Sequence, residues 1–561
     1  MFRKRKKDPS IYPDEIFIDS KNIPGFDVQQ MEGRIERPIS KRSFFGAAFV
    51  FTTIGLFFAS KILLLQVVSG EEYALRSESN SLKKIFIIPN RGIIYDRNKE
   101  KMAWNEIDAR QYLGAGGFGH VLGYLGLPSE NDLKSDKNII RDTVMGKNGI
   151  EKIYEKILFG SAGIKISEVD SQNNIISESV QKQPEQGKDV FLTIDSKIQA
   201  RFFDAIKSTA EERGFKGGAG IIIDPNNGEI ISLVSYPEYS SEILTKGEER
   251  GKIENFIKDP NKPFLNRAVS GLYAPGSIIK PLMAIAALSE GVITPEKQIF
   301  SAGYISLPNP FFPDKESIFK DWKAHGWVDM RKALAVSSDV YFYEVGGGFE
   351  NQKGIGIKKI EKYAKMFGFD SETGIDLAGE ESGTVPNQEL KAKSNPEDPM
   401  WRIGDTYNAS IGQGYFHVTP IEMAVYSAAL ANGGKIIRPH LMSEGMTFVA
   451  TTKVKPSQAL DIPQEYFQVA REGMRMGVTE GTATALNVWG AEIAAKTGTA
   501  EVGAAKKYVN SWVIGFWPYQ NPKYAFALVM EKGPYANLVG APAVMRQLLD
   551  WMSANTPEYL K

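Results

Sequence analysis

The order of apolar and polar positions separates one non-globular stretch from a long folded remainder. From Phe44 to Ser60 no charged residue occurs, and past Lys61 the apolar run continues through Ile62, Leu63, Leu64, Leu65, Val67 and Val68. About 20 such residues suffice for a helix to cross a bilayer, and a lysine near one end snorkels to the headgroups. Arg34, Arg37, Lys41 and Arg42 precede the run, and Arg3, Lys4, Arg5, Lys6 and Lys7 lie close to the start of the chain. This one-sided basic flank predicts a cytoplasmic tail over residues 1–43, a transmembrane helix over 44–68 and export of the chain from residue 69 onward. No small-x-small cleavage site comes after the run, so the segment reads as an anchor rather than a cleaved signal.

Residues 69–187 are polar and glycine-punctuated, a pedestal with short strands at 85–88 and 93–95 around the Pro89-Asn90-Arg91-Gly92 turn. Gly114 to Gly119 follows no clear strand and opens no helix, so it reads as a flexible connection rather than a phosphate loop. The texture then changes, and 188–561 reads as one domain. Val190 to Ile194 predicts a strand and Ser196 to Glu212 an amphipathic helix. A hairpin comes next, Gly220 to Asp224 and Glu229 to Tyr236 about Pro225-Asn226-Asn227-Gly228. Three further strands are expected at 492–501, 508–517 and 523–531, then a helix from Ala541 to Ser553. Strands at both ends with helices between them predict an α+β fold, an antiparallel sheet covered by helices.

Composition narrows the chemistry. The 67 basic and 67 acidic side chains cancel, so no global field argues for a nucleic-acid partner. With no Cys, disulfides, iron–sulfur clusters and thiol nucleophiles are excluded. The four His (His120, His325, His417, His440) lack zinc-hydrolase spacing, and Asp314, Asp321 and His325 together read as a solvated loop rather than a metal site. No metal and no cofactor are expected. Nucleophilic catalysis then falls to Ser or Thr activated by something other than a His triad, and Lys is such a base when its neutral amine is accessible.

Four S-x-x-K sequences occur: Ser81/Lys84, Ser179/Lys182, Ser277/Lys280 and Ser317/Lys320. Only Ser277 follows a Pro-Gly turn and opens an apolar helix, whose N-terminus favours developing negative charge. As read from the residues alone, Ser277 is either that nucleophile or a simple helix cap. Lys496-Thr497-Gly498 is the one K-T-G, on a predicted strand where Lys496 and Thr497 face opposite sides unless the strand twists. Between them lies Ser337-Ser338-Asp339. S-x-x-K, S-D-N and K-T-G together mark penicillin-binding proteins and class A β-lactamases, and Ser337-Ser338-Asp339 offers only a serine with a hydrogen-bonding residue two positions on.

The surroundings carry the resemblance further. Asn266-Arg267-Ala268 through Ser277-Ile278-Ile279-Lys280-Pro281 resembles the nucleophile segment of class B penicillin-binding proteins. So do Asp321-Trp322-Lys323, Ser337-Ser338-Asp339 running into Tyr341-Phe342-Tyr343, Ile411-Gly412-Gln413-Gly414 with Thr419-Pro420, and Lys496-Thr497-Gly498-Thr499-Ala500 before Ser511-Trp512. Arg91-Gly92-Ile93-Ile94-Tyr95-Asp96-Arg97-Asn98 resembles the membrane-proximal signature. His120-Val121-Leu122-Gly123-Tyr124, Gly149-Ile150-Glu151 and Asp339, where division-type relatives usually carry Asn, point to the elongation type, penicillin-binding protein 2.

The resemblance implies a five-stranded antiparallel sheet covered by helices and a peptidoglycan transpeptidase blocked by β-lactams. Ser277 would attack a D-alanyl carbonyl of a stem peptide, and Lys280 would take its proton. Ser337 with Lys496 would relay a proton to the leaving amine, with Asp339 orienting them. A second ammonium nearby would help keep Lys280 neutral. Thr497, Gly498 and Thr499 would meet the substrate, with the Ser277 and Thr499 amides as oxyanion hole. It also implies a SEDS-family glycan polymerase and the elongation machinery as partners at the inner membrane, with the catalytic domain outside. Here only 21 residues (99–119) separate Asn98 from His120, where the elongation type usually carries a sizeable head subdomain, so the pedestal is reduced. The alternatives are a division-type transpeptidase, a β-lactamase, against which anchor and pedestal argue, and a catalytically quiet scaffold.

Overall fold

In the computed structural model, the described residues are 40–561 except 107–108, 137–138, 171, 310–311, 313, 444–456, 504–506 and 538. The expected cytoplasmic tail, up to residue 39, lies outside them. The chain forms two compact units, one of residues up to 85 with 165–179, the other of 86–164 with 180–561.

In the first unit, helix α1 (Lys41–Leu63) starts at Ser40, whose side chain accepts from the Ser43 amide. A wider turn, Leu64–Val68, prolongs it. Its 28 residues, Lys41–Val68, are long and apolar enough to cross a membrane, and none is buried by protein. At 1.5 Å per residue this is about 42 Å, more than the ~30 Å of hydrocarbon to be spanned. The same unit carries Lys83, which donates to Asn173 at 2.9 Å, and the Lys165–Glu178 ion pair at 2.9 Å.

In the second unit, the strands Ala109–Tyr112, Lys101–Glu106, Ile94–Tyr95 and Val190–Phe191 lie side by side in that order. The Arg-Gly-x-Ile segment is explained by its contacts. Arg91 is ion-paired at 2.6 Å with both Glu151 and Glu155, and Arg110 holds the other Glu151 oxygen at 2.8 Å. A Cβ on Gly92 would lie 1.9 Å from the Lys188 carbonyl, so only glycine fits there. Asp96 accepts from Ser196 Oγ at 2.7 Å, and Asn98 donates to Asp195 at 2.9 Å, which fastens this layer to the start of helix α2 (Ser196–Arg213). His120 is buried edge-on to Tyr239, and burial, then the charge of Arg267, pushes its pKa down to about 3. The stretch 114–119 is no slack connector: Glu238 accepts from the Gly117 and Gly119 amides at 2.5 and 2.9 Å, and Gln199 donates to the Gly117 carbonyl.

The central sheet is built from β1 (Gly217–Ile223), β2 (Ile230–Tyr236), β3 (Ala494–Val502), β4 (Tyr508–Trp517) and β5 (Tyr524–Pro534). Its order is β2-β1-β5-β4-β3, antiparallel throughout. Alternation along a strand gives each face its own core. Ile222, Ile231, Val513, Trp517, Phe526 and Leu528 pack under α2 and the closing helix α8 (Ala541–Asn555). Ile221, Ile223, Ile230, Ile514, Ala527 and Val529 face the other way, toward α3 (Lys280–Ser289) and α6 (Pro420–Asn432). Gly220 lets α2 approach, since a Cβ there would lie 2.2 Å from the Phe202 ring. The short helices α4 (Met330–Val336) and α5 (Asp339–Gly347) and the longer α7 (Gln464–Glu480) complete the wall around the end of β3.

Candidate active site

Ser277 does not open the α-helix directly. It sits, half-buried, in a 3-10 turn, Gly276–Ile279, and α3 begins at Lys280. The turn is shaped by Gly276 at φ +59°, whose amide donates to the Gly412 carbonyl at 2.8 Å and where an added Cβ would lie 2.8 Å from the Thr499 carbonyl of β3. Among the described residues the Ser277 hydroxyl has no hydrogen-bond partner, Lys280 included. Lys280 points inward and is fully buried. It donates to the Ser337 carbonyl (2.7 Å), to Asp339 Oδ1 (2.6 Å) and, at 3.4 Å, to Ser337 Oγ.

Ser337 adopts the left-handed backbone conformation (φ 60°, ψ 40°) between α4 and α5, a strained choice for a residue with a Cβ. The strain turns its hydroxyl toward Lys496, which donates to Ser337 Oγ at 2.7 Å and to the Thr497 carbonyl at 2.9 Å. Four sequence-predicted residues, Lys280, Ser337, Asp339 and Lys496, thus form one bonded cluster behind Ser277. Burial, and next the charge of Lys280, hold the Lys496 amine well below the usual lysine range, against the opposing pull of Asp339. Asp339 pairs with Lys280, whereas Lys496 lies buried without a carboxylate of its own. Asp339 accordingly touches Lys280 rather than Ser337 or Lys496.

The K-T-G residues divide as the pleat demands. Lys496 faces the cluster, whereas the Thr497 hydroxyl shares a 2.6 Å hydrogen bond with Thr482. Gly498 leaves room for the turn, since a Cβ there would lie 2.9 Å from Ile278. Thr499 is exposed, and its carbonyl receives Gln413 Nε2 at 3.4 Å. Thr482 carries no sequence signal, because it follows a helix end and meets Thr497 only through the fold. Asp321 is visible in the sequence as part of Asp-Trp-Lys, where it reads as solvated. Its side chain is in fact fully shielded, with its oxygens taken by Ser301, Ser338, Val340 and Trp322.

A serine in a turn against the edge strand of a helix-covered antiparallel sheet, with two buried lysines sharing the Ser337 hydroxyl, is the arrangement of a serine acyltransferase. Residues 218–550 match the penicillin binding protein transpeptidase domain, and 104–192 the penicillin-binding protein dimerisation domain. Over 479 residues the chain is 34% identical to the peptidoglycan D,D-transpeptidase MrdA of Salmonella typhimurium, covering 80% of this chain and 73% of that protein. The penicillin-binding protein 2 of Helicobacter pylori, solved in complex with MreC, superposes with a TM-score of 0.71 at 27% identity, over 85% of this chain and 99% of that one. The Pseudomonas aeruginosa penicillin-binding protein 2, solved with WCK 5153, gives 0.70 at 32%, over 84% and 97%. The chain belongs to the class B penicillin-binding proteins, of the penicillin-binding protein 2 type.

Proposed function

We propose that the protein is a membrane-anchored peptidoglycan D,D-transpeptidase of cell elongation, working through a Ser277 acyl-enzyme and blocked by β-lactams. The observation that carries this is the chain Lys280–Ser337–Lys496 standing buried behind an unengaged serine hydroxyl. Ser277 Oγ attacks the penultimate D-alanyl carbonyl of a stem peptide, an ester forms, and the amide bond to the terminal D-alanine breaks. The Ser277 proton enters through Lys280 as Lys280 passes one by way of Ser337 to Lys496, whose depressed pKa makes the neutral amine accessible. The leaving amine takes that proton back. An amine of a neighbouring stem peptide then attacks the ester, forms the cross-link and restores the Ser277 hydroxyl.

Asp339 holds Lys280 in place during both halves. Thr497, Gly498 and Thr499 line the slot for the substrate's carboxylate end, and the Ser277 and Thr499 amides serve the oxyanion, each such donor being worth about 3–4 kcal/mol in a comparable acyl transfer. β3 is an edge strand, and its outer rim suits an extended peptide laid against it. Residues 188–561 carry catalysis, 69–187 the pedestal, 44–68 the anchor, and 1–43 stay in the cytoplasm, with the catalytic domain outside the inner membrane. A SEDS-family glycan polymerase supplies the strands to be joined, and an MreC-like scaffold of the kind bound by the Helicobacter pylori relative joins them.

The test is the intact mass of the full-length protein in detergent after mixing with a penicillin, beside Ser277→Ala. One lasting adduct in the wild type and none in the variant is expected. Rapid loss of the adduct with drug turnover would instead make this a β-lactamase.

A further inference from the structure

Asp321 stands outside all three motifs, immediately after the strand Glu316–Lys320, yet its side chain has no exposed surface. Its Oδ2 accepts from Ser338 Oγ at 2.9 Å, from the Val340 amide at 3.0 Å and from Ser301 Oγ at 3.2 Å. Its Oδ1 accepts from the Trp322 amide at 2.8 Å and lies 3.5 Å from His325 Nε2. A carboxylate is tolerated at such depth because donors surround it. The donors it gathers are selective: Ser338 and Val340 are the two residues that flank Asp339.

That short turn carries every acceptor the active-site lysines use from this side. Ser337 O and Asp339 Oδ1 hold Lys280, and Ser337 Oγ holds Lys496. Ser337 itself is in a strained conformation and does not keep it unaided. Trp322, the next residue after Asp321, donates its indole N–H to the Val336 carbonyl at 3.2 Å, on the other side of Ser337. The Asp321-Trp322 pair therefore grips the turn before and after the serine.

We propose that Asp321 is a positioning residue for acyl transfer: through Ser338 and the Val340 amide its carboxylate sets the turn that delivers Ser337 and Asp339 to Lys280 and Lys496. The assignment rests on the reading of Ser277 and the two lysines given above. It differs from a merely structural role, in which Asp321 caps the N-terminus of α5 and its loss costs stability alone.

The experiment measures second-order acylation of the full-length protein by a fluorescent penicillin from pH 5 to 10, with thermal melting alongside. The variants are Asp321→Ala, Ser338→Ala, Asp339→Asn and Asp321→Ala/Asp339→Asn. Asp321→Ala is expected to slow acylation about 10- to 100-fold below its melting temperature, the scale of a small misplacement of reacting groups, and to shift the pH profile. Ser338→Ala is expected to show a smaller loss in the same direction. The double variant is expected to lose less than the product of the two single losses, because both act through one turn. Wild-type rate and profile in Asp321→Ala, or losses that multiply in the double variant, would overturn the proposal. If Asp321→Ala does not fold, an unchanged rate and profile in Ser338→Ala overturns it. Absence of Ser277 acylation in the wild type would sink the parent reading before any variant is compared.

Discussion

Two lysines buried around one serine cannot both hold their protons at ordinary cost, and this chain divides the burden unequally. Lys280 is given Asp339, while Lys496 is given only the Ser337 hydroxyl and a carbonyl. The field of Asp339 raises the Lys496 pKa, so removing that charge has a defined sign. In Asp339→Asn the Lys496 pKa falls further, and the acid limb of the acylation profile moves to lower pH. A fluorescent-penicillin pH series reads this, and a shift to higher pH would refute it. The cluster's four members were legible residue by residue, since Lys280, Ser337, Asp339 and Lys496 each sit in a motif, as does Ser277 outside the cluster. Their bonding was not legible, because which lysine meets the carboxylate depends on how α5 is aimed. Asp321 escaped for a related reason: an aspartate next to an exposed tryptophan looks solvated in one dimension, and only the fold wraps Ser301 and Ser338 around it.

Among the elements, apolar runs and turn chemistry located the central sheet to within a few residues. The strands expected at 492–501, 508–517 and 523–531 are found at Ala494–Val502, Tyr508–Trp517 and Tyr524–Pro534, because short apolar runs bounded by polar links suit strands buried on both faces. The strand expected over Val190 to Ile194 is shortened to Val190–Phe191, since Asp195 turns the chain to cap α2. The start of α3 tightens to a 3-10 turn, and the glycine stretch at 114–119 is pinned; both depend on partners far away in sequence, Gly412 and Glu238. Helix α5 carries a further consequence. Burial first, and the neighbouring Glu350 second, raise the Glu344 carboxyl to about 7 from an ordinary 4.5, with Lys297 opposing. A carboxyl raised on folding binds more proton in the native state, so stability falls as pH rises between about 4.5 and 7 and is level above that window. Glu344→Gln is expected to flatten this slope and to gain about 1–2 kcal/mol at pH 8, after allowance for partial solvation, in denaturant titrations at pH 5 and pH 8.

At the scale of the whole molecule, the second unit buries paired charges beside its apolar cores. Arg91 joins Glu151, which is fully buried, and the partly exposed Glu155, so Arg91→Ala leaves the buried Glu151 to Arg110 alone. A loss of about 2–3 kcal/mol is expected from the unfolding midpoint, with penicillin acylation of the folded fraction unchanged, since Arg91 bonds none of the active-site residues. That layer was legible in outline from its signature residues, but the reason for them lies in contacts with Asp195 and Ser196 at the head of α2. The left-handed backbone at Ser337 has a wider consequence. Glycine adopts that conformation freely, so Ser337→Gly is expected to raise the melting temperature modestly while abolishing acylation, as scanning calorimetry and a penicillin label would together read. Thermostability and catalysis therefore pull this position in opposite directions. A laboratory evolution campaign that rewarded heat resistance alone would drift toward a sturdier protein that no longer builds cell wall.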